Sequence, residues 1–346
     1  MKKSCMAGKN LCRIGAGCGI IGMVMKMTLT FAPMEGVTGY VFRRVHHAFF
    51  PQADKYYAPF IAPDSKGEFK LSRLRDILPD NNDTITLVPQ VLANDAEAFL
   101  HVARQLADMG YEEVNLNIGC PSATVVSKHK GAAMLREPER LDAFLADVYA
   151  RTPIAVSVKT RLGFASTAEF ESLMGVFERY PIHELIVHAR DREGMYRSEP
   201  DRDAFAAALR QSRFPVVYNG NVFTPADFRA ITDRFEKLGG VMLGRGAAAN
   251  PALFRTIRGG EALTLGELRE FHDTLIEAHL ASGLSPAFTA GKMKELWFYL
   301  HCLFPDCARP YKALNKARDL PSLRTCASSL MASCAFEPAR GFQPPV

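Results

Sequence analysis

The 346-residue chain has no CxxC pair, and its eight cysteines, at positions 5, 12, 18, 120, 302, 307, 326 and 334, show no Cys/His spacing of the kind structural zinc needs. This excludes a disulfide scaffold and a zinc module, predicts no metal and fits a reducing cytoplasm. A long apolar run is also lacking. Lys2 and Lys3 precede an apolar stretch over 14–25 as in a secretory signal, but that stretch is too short to span a bilayer and is interrupted by Gly15, Gly17, Gly19 and Gly22. No small-x-small cleavage site follows it ahead of a plausible mature start, so residues 1–26 are expected to be a disordered extension or an upstream-start artefact, with Met25 or Met27 as the true start. Gly17-x-Gly19-x-x-Gly22 has neither the preceding strand nor the enclosing βαβ unit that a dinucleotide fingerprint requires. Charge is nearly balanced: 42 Lys and Arg against 37 Asp and Glu leave +5, which permits a polyanionic partner without demanding one. What is present is a globular composition, 48% hydrophobic and 23% charged, enough for a large α/β domain with a smaller appendage.

From residue 27 onward, short β-branched runs alternate with amphipathic helical patterns. The runs predict strands over 28–32, 54–58, 84–89, 112–117, 153–159, 183–188, 214–218 and 239–243, with helices between them such as 96–109 and 224–235. Eight such units are the pattern of a (β/α)8 TIM barrel; a doubly wound open sheet is the alternative, because alternation alone does not distinguish closure from an open edge. After about residue 259 the alternation stops. Helical patterns over 263–281, 287–303, 311–317 and 321–333 predict a small carboxy-terminal bundle, which gives an extension over 1–26, a barrel over 27–258, a helical domain over 259–335 and a tail over 336–346.

Barrel chemistry gathers at the carboxyl ends of the strands. Read in order, those ends carry Pro33-Met34-Glu35, Gln90, Asn115 and Asn117 with Cys120, Lys159 with Arg161, His188 with Arg190, Asn219-Gly220-Asn221 and Gly244-Arg245-Gly246. The last two groups follow strands seven and eight, where barrels hold phosphate through backbone N–H groups, and Arg245 adds a planar cation; a tight turn with a surface arginine is the plainer alternative. Gln90, Lys159 and His188 can reach the polar edge of a flavin ring, although a lysine at a strand end also suits a Schiff-base aldolase. Cys120 sits between Gly119 and Pro121 at the catalytic end, ahead of a polar stretch, 123–131, that can form a flap. A thiol there is mostly protonated at neutral pH and can act as a general acid.

Seven segments in this order, AlaProMetGluGly at 32–36, ProGln at 89–90, AsnIleGlyCysPro at 117–121, ValLysThrArgLeuGly at 158–163, ValHisAlaArg at 187–190, AsnGlyAsn at 219–221 and GlyArgGly at 244–246, resemble the tRNA-dihydrouridine synthases over roughly residues 28–330. The chain departs from the family pattern at Asn221, where a carboxylate is usual, and at Ala189, where glycine is common. The resemblance implies an FMN-binding barrel in which NADPH (or NADH) reduces the flavin, hydride passes to C6 of a tRNA uridine and Cys120 protonates C5. It implies FMN contacts from Pro33, Met34, Glu35, Gln90, Lys159, His188, Asn219, Gly220, Asn221, Gly244 and Arg245. The tRNA is expected to meet Asn117, Arg161, Arg190, Arg192, Tyr196, Lys292 and Lys294, of which the two lysines lie about 200° apart around their helix. A cytoplasmic monomer with no membrane contact is expected. Dihydroorotate-type flavin reduction of a small molecule, or an aldolase using Lys159, are the competing readings.

Overall fold

A computed structural model describes residues 27–63 and 71–343. The stretch over 1–26, with its three cysteines and glycine spacing, lies outside them. The β-branched runs form nine strands: β1 (Thr28–Phe31), β2 (Lys55–Tyr57), β3 (Leu87–Val88), β4 (Gln90–Val91), β5 (Glu113–Asn117), β6 (Ala155–Gly163), β7 (Leu185–Asp191), β8 (Val216–Asn219) and β9 (Gly240–Leu243). They make one parallel sheet in the order β3-β2-β1-β9-β8-β7-β6-β5-β4. The two ends of that order are consecutive in the chain and separated only by Pro89, so the sheet closes into a barrel and is not an open doubly wound sheet.

The third expected strand is where the structure differs. Proline has no N–H to give to a ladder, and the run divides at Pro89: Leu87 and Val88 pair with Tyr56 and Tyr57, whereas Gln90 and Val91 pair with Asn115 and Leu116. Two other strands run past their expected ends, β6 to Gly163 and β7 to Asp191. Arg161 and Arg190 therefore lie within the sheet and not in the loops after it.

Helices α1 (Tyr40–Phe49), α2 (Leu71–Ile77), α3 (Ala96–Asp108), α4 (Ala123–Val126), α5 (Pro138–Arg151), α6 (Phe170–Phe177), α7 (Arg202–Gln211) and α8 (Pro225–Arg234) connect the strands. In α3, Phe99, Val102, Ala103 and Leu106 are buried, and Asp95 caps its first turn by accepting from the Ala98 N–H at 2.9 Å. Thr224 and Asp227 form a reciprocal capping box at α8, with Pro225 in the first turn. After β9 come α9 (Arg245–Ala249), α10 (Leu253–Ile257), α11 (Leu265–Ala281), α12 (Pro286–Leu300), α13 (Ala308–Lys316) and α14 (Leu320–Ser333).

Ala32, Tyr57, Val88, Ile186, Val217 and Met242 form a small apolar plug. Alternate residues of a strand share a face, so beyond Ile186 the side chains of His188 and Arg190 follow on the plug's side of β7. A far larger core joins the strands to the helices and continues unbroken into α11 and α12. Phe271 of α11 packs against Phe42 at 6.1 Å and Phe50 at 5.6 Å between ring centroids. In the same cluster His46 is buried, its Nε2 donating to Pro251 O at 3.0 Å and its Nδ1 accepting from the Tyr56 hydroxyl at 2.8 Å, and burial pushes its pKa down to about 3. Among the described residues no helix is long and apolar enough to cross a membrane, and no group of three or more His, Cys, Asp or Glu is arranged to hold a metal ion.

Candidate active site at the barrel mouth

A cavity of about 450 Å³ opens at the carboxyl ends of the strands. Of the residues singled out from sequence, Pro33, Met34, Glu35, Gln90, Asn117, Cys120, Lys159, Arg161, His188, Tyr196, Asn219, Gly220, Gly244 and Arg245 all line it. Strand register explains much of this convergence, because Asn117 pairs with Lys159, Arg161 with His188, and His188 with Asn219.

A chain of amides holds Cys120 in place. Asn115 Nδ2 donates to Ser157 Oγ at 2.9 Å, Gln90 Nε2 to Asn115 Oδ1 at 2.7 Å, and Asn117 Nδ2 to Gln90 Oε1 at 2.7 Å. Asn117 Oδ1 then accepts from the N–H groups of Gly119 and Cys120, each at 3.0 Å. On the other side, the Ala132 N–H donates to Cys120 O at 3.1 Å. Gly131 lies behind it at φ +59°, where a Cβ would come within 2.8 Å of that carbonyl, so only glycine allows this approach. The stretch over 123–131 is folded here as α4 and a turn, with Asn94 Nδ2 donating to Lys128 O at 3.2 Å. Burial pushes the Cys120 thiol pKa up, against the opposing pull of the Ser122 backbone, Arg161 and Lys159, so the thiol keeps its proton at neutral pH.

The cations divide into spent and available. Arg161 donates from Nε to Gly119 O at 2.9 Å and from Nη1 to Asp191 O at 2.8 Å and Met195 O at 3.2 Å. Arg190 donates to Ser198 O at 2.6 Å, to His188 Nε2 at 2.9 Å and to Asn221 Oδ1 at 3.0 Å. Because an arginine can only donate, His188 Nε2 is the acceptor, and the ring carries its proton on Nδ1. Burial, reinforced by Arg161 and Lys159, holds the His188 pKa well below its ordinary value, so the ring is neutral. Lys159 makes one hydrogen bond among the described residues, to Asn219 Oδ1 at 2.9 Å, and Asn219 is itself fixed by donating to Met242 O at 2.9 Å. Burial, with Arg161 adding to it, brings the Lys159 ammonium down to about 7. Arg245 likewise makes one, to Asn221 Oδ1 at 2.9 Å. Lys159 and Arg245 therefore keep unspent N–H groups beside the cavity.

Five expected site residues do not line the cavity. Asn221 sits behind it, its Oδ1 shared by Arg190 and Arg245 and its Nδ2 donating to Glu199 at 3.2 Å. Arg190 is buried as the brace just described. Arg192 turns away over the Phe164 ring, 5.2 Å from its centroid. Lys292 Nζ donates to Gly36 O at 2.6 Å and Lys294 Nζ to Ala317 O at 2.5 Å, so the two point to different neighbours, as their spacing implies, and each latches α12 to a loop. Sequence reasoning missed Pro59 and Phe60, at the one strand end without polar chemistry, and Phe298, Tyr299 and Phe342, which reach the mouth from beyond the barrel. No local pattern announces them.

The donor set fits an anionic, ring-bearing cofactor. The volume lies within the range of about 300–1,000 Å³ usual for such pockets. Glu35, the only carboxylate among the described residues that line the cavity, is paired with Arg73, which leaves Lys159 and Arg245 with no carboxylate partner inside the cavity. At Gly244 a Cβ would lie 3.4 Å from Ala32 Cβ and 3.7 Å from Met34 Sδ, taking up space at the cavity wall.

Residues 30–292 match the family profile described as Dihydrouridine synthase (Dus). The chain is 32% identical over 313 residues to the tRNA-dihydrouridine(16) synthase of Ralstonia nicotianae, covering 84% of this chain and 92% of that one. It is 28% identical over 264 residues to tRNA-dihydrouridine synthase B of Pseudomonas putida, covering 75% and 77%. In fold it is similar to the histamine dehydrogenase of Rhizobium sp. 4-9, with a TM-score of 0.51 at 12% identity over 74% of this chain and about half (49%) of that one. It is similar also to the old yellow enzyme of Trypanosoma cruzi, with a TM-score of 0.50 at 10% identity over 68% and 89%.

Proposed function

The chain belongs to the dihydrouridine synthase family, and on that premise we propose that it reduces the C5=C6 bond of a tRNA uridine to 5,6-dihydrouridine, with FMN as its flavin and NADPH (or NADH) as reductant. The observation that carries the reading is one cavity joining a thiol kept protonated by burial to two half-buried cations with unspent donors. Bound there, reduced flavin would supply the hydride for C6 of the uracil ring. Cys120 Sγ gives its proton to C5, and Asn117 holds the Cys120 backbone for that transfer. Arg245, with only one N–H given to Asn221, would hold the flavin phosphate. Lys159, steadied by Asn219, would face negative charge on the reduced ring, and Gln90 and neutral His188 would supply hydrogen bonds at its edge.

A uridine inside folded RNA has to leave its stack to reach such a cavity. Tyr196, 52% exposed, and Phe298, 40% exposed, stand at the mouth, where bases flanking the extruded nucleotide can stack. Farther out, Arg309, Lys312, Lys316 and Arg318 are exposed and suit the phosphate backbone. Family membership displaces the aldolase and small-molecule reductase readings, although an amine near 7 would also suit Schiff-base chemistry.

The test is the purified protein and its Cys120→Ala variant. Both should be yellow, release FMN on denaturation and oxidise NADPH, while the variant loses dihydrouridine formation on tRNA by about 100-fold or more. A colourless protein that FMN does not reconstitute, or equal loss of flavin and product in the variant, refutes the assignment.

A further inference from the structure

Arg245 is caged by three aromatic rings from separate parts of the chain. Its guanidinium carbon lies 4.5 Å from the centroid of Tyr196 in the β7–α7 loop, 5.4 Å from that of Phe223 in the β8–α8 loop and 5.2 Å from that of Phe342. Phe342 comes from beyond α14, outside the residues 30–292 that match the family profile. The chain returns to the barrel by specific bonds: the Glu337 N–H donates to Leu303 O at 2.8 Å, and Asn250 Nδ2 donates to Pro338 O at 3.0 Å. At Gly341 the backbone adopts φ +64°, and a Cβ there would lie 2.6 Å from Phe223 O, so glycine is required to bring the next residue this close. Beyond it, Cys302 Sγ donates to Gln343 O at 3.7 Å. Phe342 itself is only 3% exposed and packs against Phe223 at 5.3 Å and Tyr299 at 5.7 Å between centroids, yet it also lines the cavity.

We propose that residues 336–343 form a strap that completes the active site, with Phe342 as a positioning residue for Arg245. The face of the ring holds the guanidinium and keeps water from it, which confines a long side chain that otherwise samples many rotamers. Most of its five N–H groups stay free for an anionic oxygen, because only one is given to Asn221. Exclusion of water strengthens the attraction between that cation and an anion. The anion is the flavin phosphate, a step that rests on the role given to Arg245 above.

Binding of FMN and of riboflavin, which lacks the phosphate, to the full-length protein separates the two ideas when followed by flavin fluorescence. Arg245→Ala should weaken FMN and leave riboflavin unchanged; equal effects on both would refute the phosphate role of Arg245 itself. Phe342→Leu keeps an apolar side chain but removes the ring face. It should weaken FMN about three- to thirtyfold, spare riboflavin and lower the melting temperature by no more than a few degrees. Phe342→Tyr should restore FMN affinity, and Phe342→Leu should add nothing on an Arg245→Ala background. Wild-type FMN affinity in Phe342→Leu, equal loss of both flavins, or an undiminished effect in the double variant overturns the strap's role while leaving that of Arg245 intact.

Discussion

Lys159 and Arg161 stand two residues apart on one strand and differ in what they have left to give. Arg161 is absorbed by three carbonyls, whereas Lys159 holds a single amide and is brought down to about 7 by burial and by Arg161. The sign of its pH dependence follows. The anionic ring of a reduced flavin beside Lys159 favours the ammonium, so above pH 7 its binding must take up a proton, and affinity for reduced FMN should fall by up to about tenfold per pH unit as the pH rises. For folding, the depressed pKa means that the unfolded chain binds the extra proton between about 7 and 10.5, so the cost of burying this lysine is full below pH 7 and relieved above it. Titrating reduced FMN under anaerobic conditions from pH 6 to 9 against wild type and Lys159→Met checks the binding arm; matching slopes would contradict it. Cys120 was legible in the sequence because Gly119 and Pro121 frame it at a strand end. Phe342 was not, because one phenylalanine in a tail carries no periodicity. Asn221 was legible as a departure, but its effect shows only in three dimensions: a neutral oxygen shared by two guanidinium groups leaves Arg190 and Arg245 less compensated than a carboxylate would, and Arg190, through burial and then Arg245, drops to about 10.

At the scale of elements, apolar periodicity located eight of the nine barrel strands, β4 lying just past the run expected over 84–89, and the four main carboxy-terminal helices, because side-chain alternation and helical stripes are local properties. Strand ends were read less well. The β-branched runs stop before Arg161 and Arg190, but the ladders continue through both, since their charges find carbonyl and amide partners inside the sheet. Helix α11 shows how one side chain can join two elements. Glu267 accepts from the Thr264 N–H at 2.9 Å in a capping box and also from Arg255 of α10 at 2.7 Å, and chiefly through Arg255 its carboxyl is lowered to about 2. A depressed carboxylate adds stability above its ordinary pKa of 4.5, which is lost as the pH falls toward 2. Solvent screens this partly exposed pair, so Glu267→Gln should cost only about 1 kcal/mol at pH 7 and almost nothing near pH 2. Urea unfolding at both pH values measures the difference, and an equal cost at each would show that the charge plays no part.

For the whole molecule, the question is where a net charge of +5 is spent. Lys292 and Lys294 hold the chain together, whereas Arg309, Lys312 and Lys316 recur at helical spacing on α13, make no ion pair among the described residues and have no acidic neighbour on that helix. Replacing these three with alanine should lower the slope of log tRNA affinity against log salt by about two units and leave flavin content unchanged, while Lys294→Ala should leave the slope nearly as it was. If the triple variant keeps the wild-type slope, the RNA lies elsewhere. This division was beyond the reach of sequence, because a latch and an exposed cation have the same composition. The seam at Pro89 has a consequence at this same scale. The ring is clasped by two residues on either side of a proline, so the barrel opens there more cheaply than across the longer ladders of β5, β6 and β7. Gln90 is one of the clasp residues and also the middle link of the amide chain to Cys120. Breathing of the barrel is thereby geared to the acid: when the clasp loosens, the support of the proton donor loosens with it, and when the clasp is shut, the donor is set.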